Sequence, residues 1–257
     1  MAEKRLKGIR ISRGIAFGSP FLLKPFPKPS KEVALKKNEV VLEIERYKCA
    51  LNQSRHDLEY LQRRQSHEGK NVVTQILEAH LEILQDPLIT EMIVERISKL
   101  QKNTETVFQQ VLTEYQKNFE KNHFFEERLN DIQDVAGRIL SHLSPRFKED
   151  HNAIFQEAVV FAGELIPSLA LELAQKKCAA FVTEKSGYTS HAAIIARAKG
   201  IPFVTGIRLA DLEKLALKQI IVDGLKGEVI INPDSATVEH YTKVREHLMA
   251  AALKKAR

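Results

Sequence analysis

The sequence predicts an α/β unit interrupted by a helical bundle, on three observations. Apolar residues recur at steps of three and four from about residue 33 to 140. Short β-branched runs alternate with short helical patterns from about residue 155 onward. The N-terminal stretch reads as strands, LKGIRI and IAFGSPFLL, which find no strand partners in the helices that follow. Pairing those strands with the later ones makes the helical stretch an insertion. Residues 1–28 and 146–234 then form one domain of class α+β or α/β, 29–145 the inserted bundle, and 235–257 a terminal helix.

The chain has 257 residues, 44% hydrophobic and 28% charged, enough apolar content for one or two cores; 11 Gly and 9 Pro are too few for a low-complexity chain. After the Pro-spaced hinge KPFPKPS (24–30), a long charged helix is expected from near Ser30, with Val33, Val40, Ile44, Tyr47, Leu51, Leu58 and Leu61 as its packing stripe. Val72, Val73, Ile76, Leu77, Leu81 and Leu84 mark a second helix up to the Asp86-Pro87 break, and Ile89, Met92, Ile93, Ile97 and Leu100 a third. Val107, Phe108, Val111, Leu112, Tyr115 and Phe119 follow the cap signal at Asn103-Thr104. Phe125, Leu129, Ile132, Val135, Ala136, Ile139 and Leu140 complete a bundle of antiparallel hairpins before Ser144-Pro145. Beyond it, AVVFA (158–162), AAFVT (179–183), IPFVTG (201–206), QIIVDG (219–224) and EVIIN (228–232) read as strands. Helices open between them at Pro167, Ser190 and about Arg208. The segment from Ser235 through Val238, Tyr241, Val244, Leu248 and Leu253 to KKAR is a helix, expected to connect toward a further part.

The net charge of +6 raises a nucleic-acid partner. Residues 1–31, however, hold Lys4, Arg5, Lys7, Arg10, Arg13, Lys24, Lys28 and Lys31 against Glu3, about +7 in one stretch. That stretch has no interleaved aromatic platform for stacking bases, so nucleic-acid binding is not expected. There is neither an apolar signal region nor a run of about 18 apolar residues, so secretion and membrane insertion are not expected either. Cys49 and Cys178 lie far apart without ligand spacing, which speaks against a disulfide framework or a metal site and for a cytoplasmic setting.

One segment carries chemistry. AAFVT runs into EKSGYTS (184–190) and then the apolar helical run HAAIIARAKG (191–200), closed by Gly200. Ser190 is the natural N-cap, which puts His191 at the first helical position and Thr189 just before it. A helix N-terminus offers unpaired N–H groups and about half a positive charge, favourable for a phosphate dianion. The same field disfavours imidazolium and leaves His191 a nucleophilic nitrogen. A phosphoryl-accepting histidine needs that lone pair, with donors from Thr189, Ser190 and the helix end to hold the oxygens. Small Ala192 and Ala193 leave room for a donor. On the residues alone, a histidine at a helix start also suits a capping or surface role.

The string GYTSHAAIIARAKGIPFVTG (187–206) resembles the phosphohistidine signature GGxTSHxAIxAR of the phosphoenolpyruvate-utilising enzymes. GIAFGSPFLL, a helical insertion with EAHLEILQDP and EERLNDIQDVAGRIL, then ELIPS and the signature, resemble in their order the N-terminal half of Enzyme I of the sugar phosphotransferase system. The resemblance spans essentially the whole chain. It implies a phosphohistidine swivelling α/β domain carrying His191, with an inserted helical-hairpin bundle that binds the phosphocarrier protein HPr. A phosphoenolpyruvate-binding barrel with its Mg2+, through which the full enzyme forms a homodimer, is implied C-terminal to this chain. No cofactor or metal is then expected within it. The implied function is phosphoryl transfer from phosphoenolpyruvate through His191 to a histidine of HPr. The alternatives are the phosphohistidine domain of a synthase or dikinase of the same family, and a non-catalytic HPr-docking module.

Residue by residue, Thr189 and Ser190 match the signature as phosphate-holding or histidine-orienting donors, and Gly187 matches the loop glycine, serving a positive φ or a close backbone approach. Arg197 also matches; about 240° around the helix from His191, it equally suits a structural ion pair. Two departures stand out. Ser186 replaces the first glycine and would restrict the loop. Ile166-Pro167-Ser168 replaces the family's TPS, whose threonine hydroxyl contacts the histidine; isoleucine has no such group, leaving Ser168, a carbonyl or water to orient His191. For the partner surface the resemblance points to His80, Ile83, Asp86 and Arg128, although His80 and Ile83 equally suit bundle core and Arg128 a solvated face. Val72, Pro87 and Gln133 stand where familiar members are charged. A basic HPr surface implies an acidic patch here.

Overall fold

A computed structural model describes residues 3–23, 33–66, 71–119, 126–143, 153–188, 190–213 and 216–255. Three strands open the chain: β1 (Lys4–Lys7), β2 (Ile9–Ser12) and β3 (Ile15–Leu22). Five helices follow: α1 (Val40–Ser66), α2 (Val72–Gln85), α3 (Pro87–Leu100), α4 (Thr104–Phe119) and α5 (Glu126–Leu143). Strands and helices then alternate as β4 (Ala158–Ala162), α6 (Pro167–Gln175), β5 (Ala180–Thr183), α7 (His191–Ala198), β6 (Phe203–Thr205) and α8 (Ala210–Glu213). The hairpin β7 (Ile220–Asp223) and β8 (Glu228–Ile231) leads into α9 (Ser235–Lys255). The chain divides into two compact units, Met1–Pro25 with Ala153–Arg257, and Phe26–Asn152. Among the described residues no helix is long and apolar enough to cross a membrane.

The helical unit is built on the stripe of α1, where Tyr47, Leu51, Leu58 and Leu61 are buried. α1 packs on α2 and α5, whose Val73, Leu77, Val135 and Ile139 complete the core. Asn71 caps α2 through a capping box with Thr74. Asp86 ends α2 and caps α3, its carboxylate accepting the Leu88 N–H at 2.9 Å ahead of Pro87. The first helix begins at Val40 rather than near Ser30. Residues 33–35 instead bond to the turn before α4, with Ala34 bridging Lys102, Leu35 N–H donating to the Gln101 carbonyl and Asn103 N–H to that of Val33. These donors are satisfied in an extended path, so the stripe's continuation to Val33 does not become helix.

Two charged clusters fasten the helices. Glu43 accepts the Thr104 N–H at 2.7 Å, so an α1 carboxylate caps α4, while Asn103 accepts from the Thr106 hydroxyl. Arg46 bridges Glu43, Glu105 and the Leu143 carbonyl. Asp57 accepts from buried Arg138 at 2.9 Å and lies 2.7 Å from His142 Nε2. Burial alone would push the Asp57 carboxyl up, but the His142 hydrogen bond and the Arg138 guanidinium hold it below its ordinary range.

In the other unit, eight strands form one sheet in the order β1-β8-β7-β3-β4-β5-β6-β2. β3 to β6 run parallel, and the remaining pairs are antiparallel. β1 and β2 lie at opposite ends of this order, yet only Gly8 separates them in the chain. The sheet therefore curls until its edges meet. Gly8 N–H donates to the Gly227 carbonyl at 2.8 Å, and a Cβ on Gly8 would fall 2.4 Å from the Thr205 carbonyl oxygen. Alternate residues, among them Val159, Phe161, Val182, Val204, Val222 and Val229, fill the interior. On the outer face Tyr241, Val238, Val244 and Leu248 of α9 pack over Ile15, Ile221 and Ile230, so the terminal helix is docked between Val238 and Leu248.

Two outcomes test this account. Gly8→Ala should destabilise the α/β unit by roughly 2 kcal/mol or more, because backbone oxygen cannot yield as a flexible side chain would, and calorimetry should show that unit's transition falling while the bundle's stays. A carboxylate whose folded pKa is depressed contributes stability above its unfolded value and loses it as pH falls through the folded one. The bundle's melting temperature should therefore drop as pH falls below about 4, and Asp57→Asn should lower it at pH 7 and flatten that acid fall. An unaltered acid profile in the variant would refute the assignment.

Candidate functional site

β4 and β5 are parallel neighbours, so the loops that leave their carboxyl ends lie at one edge of the sheet. Those loops lead into α6 and α7, which pack against each other. The edge is tied together by backbone. Glu184 N–H donates to the Ala162 carbonyl, Lys185 N–H to that of Gly163 and Ile207 N–H to that of Thr183. The Glu184 carboxylate accepts the Leu209 N–H at 2.7 Å, and the Thr183 and Thr205 hydroxyls bond at 2.9 Å. The signature loop thus leaves a fixed platform.

His191 is the first residue of α7 and partly buried. Ser190 is its N-cap: the Ser190 hydroxyl accepts the Ala193 N–H at 3.2 Å and the Ser190 carbonyl accepts that of Ile194 at 3.0 Å. At the other end Ile201 N–H donates to the Ala196 carbonyl and Gly200 N–H to that of Arg197, with Gly200 at φ +65°. That pairing is a Schellman close, which needs the left-handed residue. An eight-residue helix capped at both ends directs its first-turn N–H groups and positive dipole end to the region of His191.

Ser186 does more than restrict the loop. Its hydroxyl lies 2.9 Å from that of Ser190, either one donating, and 3.4 Å from the Gly187 carbonyl. With Ser186 donating, Ser190 accepts from Ser186 and Ala193 and keeps its own proton for an oxygen brought to His191. Gly187 acts through its carbonyl, which accepts the Ser190 N–H at 3.2 Å. The described glycines with positive φ are Gly14, Gly200, Gly206 and Gly227, so the expected positive φ falls on Gly200 and not on Gly187. Arg197 has no carboxylate partner among the described residues; it turns back nine positions to donate to the Tyr188 carbonyl at 2.8 Å, and its guanidinium lies 4.5 Å from the centre of the Tyr188 ring. The structural alternative for Arg197 is therefore a loop clamp rather than an ion pair.

Ile166 occupies the N-cap position of α6 without a side-chain hydrogen bond, Pro167 starts the helix, and Ser168 is buried in its first turn. Thr189 lies outside the described residues. Ser186 and Tyr188 were readable only as neighbours of a motif, because their roles depend on which groups the loop folds onto.

In the helical unit, His80 is buried, with Nε2 3.3 Å from the Asp131 carboxylate and 4.0 Å from that of Asp134. These two α5 carboxylates, three residues apart on one face, are the partners that a histidine on an apolar stripe calls for. Ile83 and Asp86 line a groove of about 410 Å3 together with Glu82, Pro87, Ile89 and Asp131. The end of α2, the start of α3 and α5 thus bring three carboxylates around apolar ground. Arg128 belongs to α5, and its side chain lies outside the described residues.

Two family models match the chain: PEP-utilising enzyme, N-terminal, over residues 7–128, and PEP-utilising enzyme, mobile domain, over 154–227. The phosphoenolpyruvate-protein phosphotransferase of Chlamydia pneumoniae is 35% identical over 245 residues, covering 92% of this chain and 43% of that protein. That of Listeria innocua is 36% identical over 247 residues, covering 94% and 42%. The chain thus spans a little over two fifths of these relatives. The solution structure of Enzyme I (nEIt) is 29% identical with a TM-score of 0.74, covering 95% of this chain and 99% of that one. An N-terminal domain of Enzyme 1, Nitrogen, shares the fold at 22% identity and a TM-score of 0.64, with 93% and 98% covered. With both models falling on the signature-bearing unit and its insertion, the chain belongs to the phosphoenolpyruvate-utilising enzymes and corresponds to the N-terminal portion of Enzyme I.

Proposed function

We propose that this chain is the phosphohistidine-bearing half of a phosphoenolpyruvate-protein phosphotransferase, with His191 as the group that carries the phosphoryl. The observation that supports this reading above others is the placement of His191 at the first position of a doubly capped helix, beside a serine hydroxyl able to donate. In the first step a ring nitrogen of His191 attacks phosphorus, the P–N bond forms, and the enol oxygen of pyruvate leaves with its electron pair. In the second step a histidine nitrogen of HPr displaces His191 from the same phosphorus. Both are in-line displacements in which position and charge stabilisation do most of the work. Ser190, Thr189 and the first-turn N–H groups of α7 would hold the transferred oxygens, Arg197 would keep the loop in place, and Ser168 would lie beneath.

The site for phosphoenolpyruvate and Mg2+ belongs, in this reading, to the portion of the relatives beyond this chain, which would also form the dimer in the cytoplasm. When bound, the metal would neutralise phosphate charge, and the groups that this chain supplies are the nucleophile and its donors. HPr would dock on the helical unit at the groove of Ile83 and Asp86, with His80 and Arg128 as neighbouring contacts. The unit's charge agrees with a basic partner: residues 26–152 hold 19 basic against 21 acidic side chains, whereas the rest of the chain holds 20 against 12.

Incubation with labelled phospho-HPr should give an acid-labile, alkali-stable adduct on wild-type protein and none on His191→Ala, and phosphoenolpyruvate alone should not label this chain. An adduct on the alanine variant, or none on folded wild type, would overturn the assignment. Retained HPr binding by an unlabelled wild type would favour the docking module instead. Ser190→Ala should slow exchange with phospho-HPr by about tenfold or more for one lost oxygen donor, and also cost α7 about 1 kcal/mol of local stability, read as faster Ala193 amide exchange. If amide exchange rises and phosphoryl exchange does not fall, Ser190 is a helix cap alone.

A further inference from the structure

We propose that Arg10, Arg13 and Tyr188 form a binding pocket for a small phosphorylated oxyanion. These residues, with Ile11, Ser12 and Gly224, line a concavity of about 230 Å3 on the α/β unit. That is many times the roughly 10–15 Å3 that a single water needs on the same measure. No carboxylate lines it, and among the described residues neither arginine is paired with one. Two guanidinium groups on one concave surface, within a unit that carries eight more basic than acidic side chains, concentrate positive potential there.

The pocket is built rather than incidental. Arg10 Nη1 rests against the Leu225 carbonyl at 3.5 Å, in the turn between β7 and β8. Gly224 N–H donates to the Gly14 carbonyl at 2.9 Å, which fixes the pocket floor to the turn that follows Arg13. Tyr188 is 63% exposed, yet Arg197 holds both its carbonyl and its ring. An exposed tyrosine held by Arg197, on one lining with two arginines that have no carboxylate partner among the described residues, supplies donors of the kind that bind a phosphate or carboxylate: two guanidinium groups, one of them touching the Leu225 carbonyl, and one hydroxyl. Tyr188 lies three residues before His191, so an anion held here would sit on the same loop that carries the histidine. The choice of ligand rests on the phosphohistidine reading. Binding itself needs no turnover.

The test is a titration of isotope-labelled full chain with sodium phosphate, and separately with phosphoenolpyruvate, against sodium chloride at matched ionic strength, followed through backbone amides. Saturable shifts at Arg13, Tyr188 and Gly224 are expected with either oxyanion and not with chloride, weakening as salt rises. Arg10→Gln combined with Arg13→Gln should weaken binding about tenfold. Saturation by both ligands assigns the site to the phosphate group; saturation by phosphoenolpyruvate alone adds its carboxylate to the contacts. Shifts that chloride reproduces, that the folded double variant retains, or that centre on His191 overturn the pocket. None of these outcomes depends on whether phospho-HPr labels the protein, so the two assignments fail separately.

Discussion

The α/β unit depends on one strand being shared between two sheets' worth of partners. β3 pairs its first half, Ile15 to Gly18, antiparallel with β7, and its second half, Ser19 to Leu22, parallel with β4. Without it the parallel ladder β4-β5-β6 and the β7-β8 hairpin have no common member. Its partners lie more than a hundred residues away in the chain, and the intervening bundle adds little to the entropy of closure because that cost rises only with the logarithm of loop length. The bundle brings its own core, so the closed loop is already folded. The bond from Leu23 N–H to the Phe161 carbonyl marks where the strand is handed over to the insertion.

From that ladder the position of His191 follows. Parallel strands put the starts of successive helices at one edge, and cross-bonds among residues 162–163, 183–185 and 207–209 keep the loops from drifting. A helix of eight residues contributes little stability of its own, so its orientation must come from its ends. Ser190 sets one end and the left-handed Gly200 the other. Ile166 breaks this pattern on the neighbouring helix, since α6 starts on proline with no side-chain cap. Its side chain is buried instead, exchanging a hydrogen bond for apolar contact.

What could be read from the sequence was whatever depends on near neighbours. The Asp86-Pro87 break, the Ser190 cap and most of the bundle stripes among the described residues rest on groups within four positions of one another and are found where periodicity and capping chemistry put them; Val33, Val72 and Leu100 are instead exposed, and the side chains of Tyr115, Phe119, Phe125 and Leu129 lie outside the described residues. What was missed is remote. Residues 33–39 continue the helical stripe, but the turn at 101–103 takes their backbone donors first. Glu43 caps a helix that starts 61 positions later, a role that no local pattern announces. The closing of the sheet at Gly8 has no local signature, because its cause is the Thr205 carbonyl pressed against it. At the site, His191, Ser190 and Gly200 were legible for the same reason. Ser186 and Arg197 were legible as positions and not as roles, since the groups they bond were fixed by the fold of the loop.

The charge of the chain gains its meaning from this division. A total of +6 hides a helical unit slightly acidic and an α/β unit strongly basic. In the helical unit several basic side chains are engaged internally: Arg46 and Arg138 tie helices together, and Arg96 forks onto Glu114. Its groove carboxylates Glu82 and Asp86 have no ion pair among the described residues and remain available to a basic surface. In the α/β unit the reverse holds near the signature loop, where Arg10 and Arg197 bond to backbone carbonyls and, among the described residues, Arg10, Arg13 and Arg197 have no carboxylate partner, so their charge is not cancelled there. A phosphoryl group loses water when it reaches a helix end, and uncancelled positive charge nearby offsets part of that loss. Under the proposed function, opposite signs on two units joined in one chain would separate two tasks: drawing in a basic protein and holding an anion.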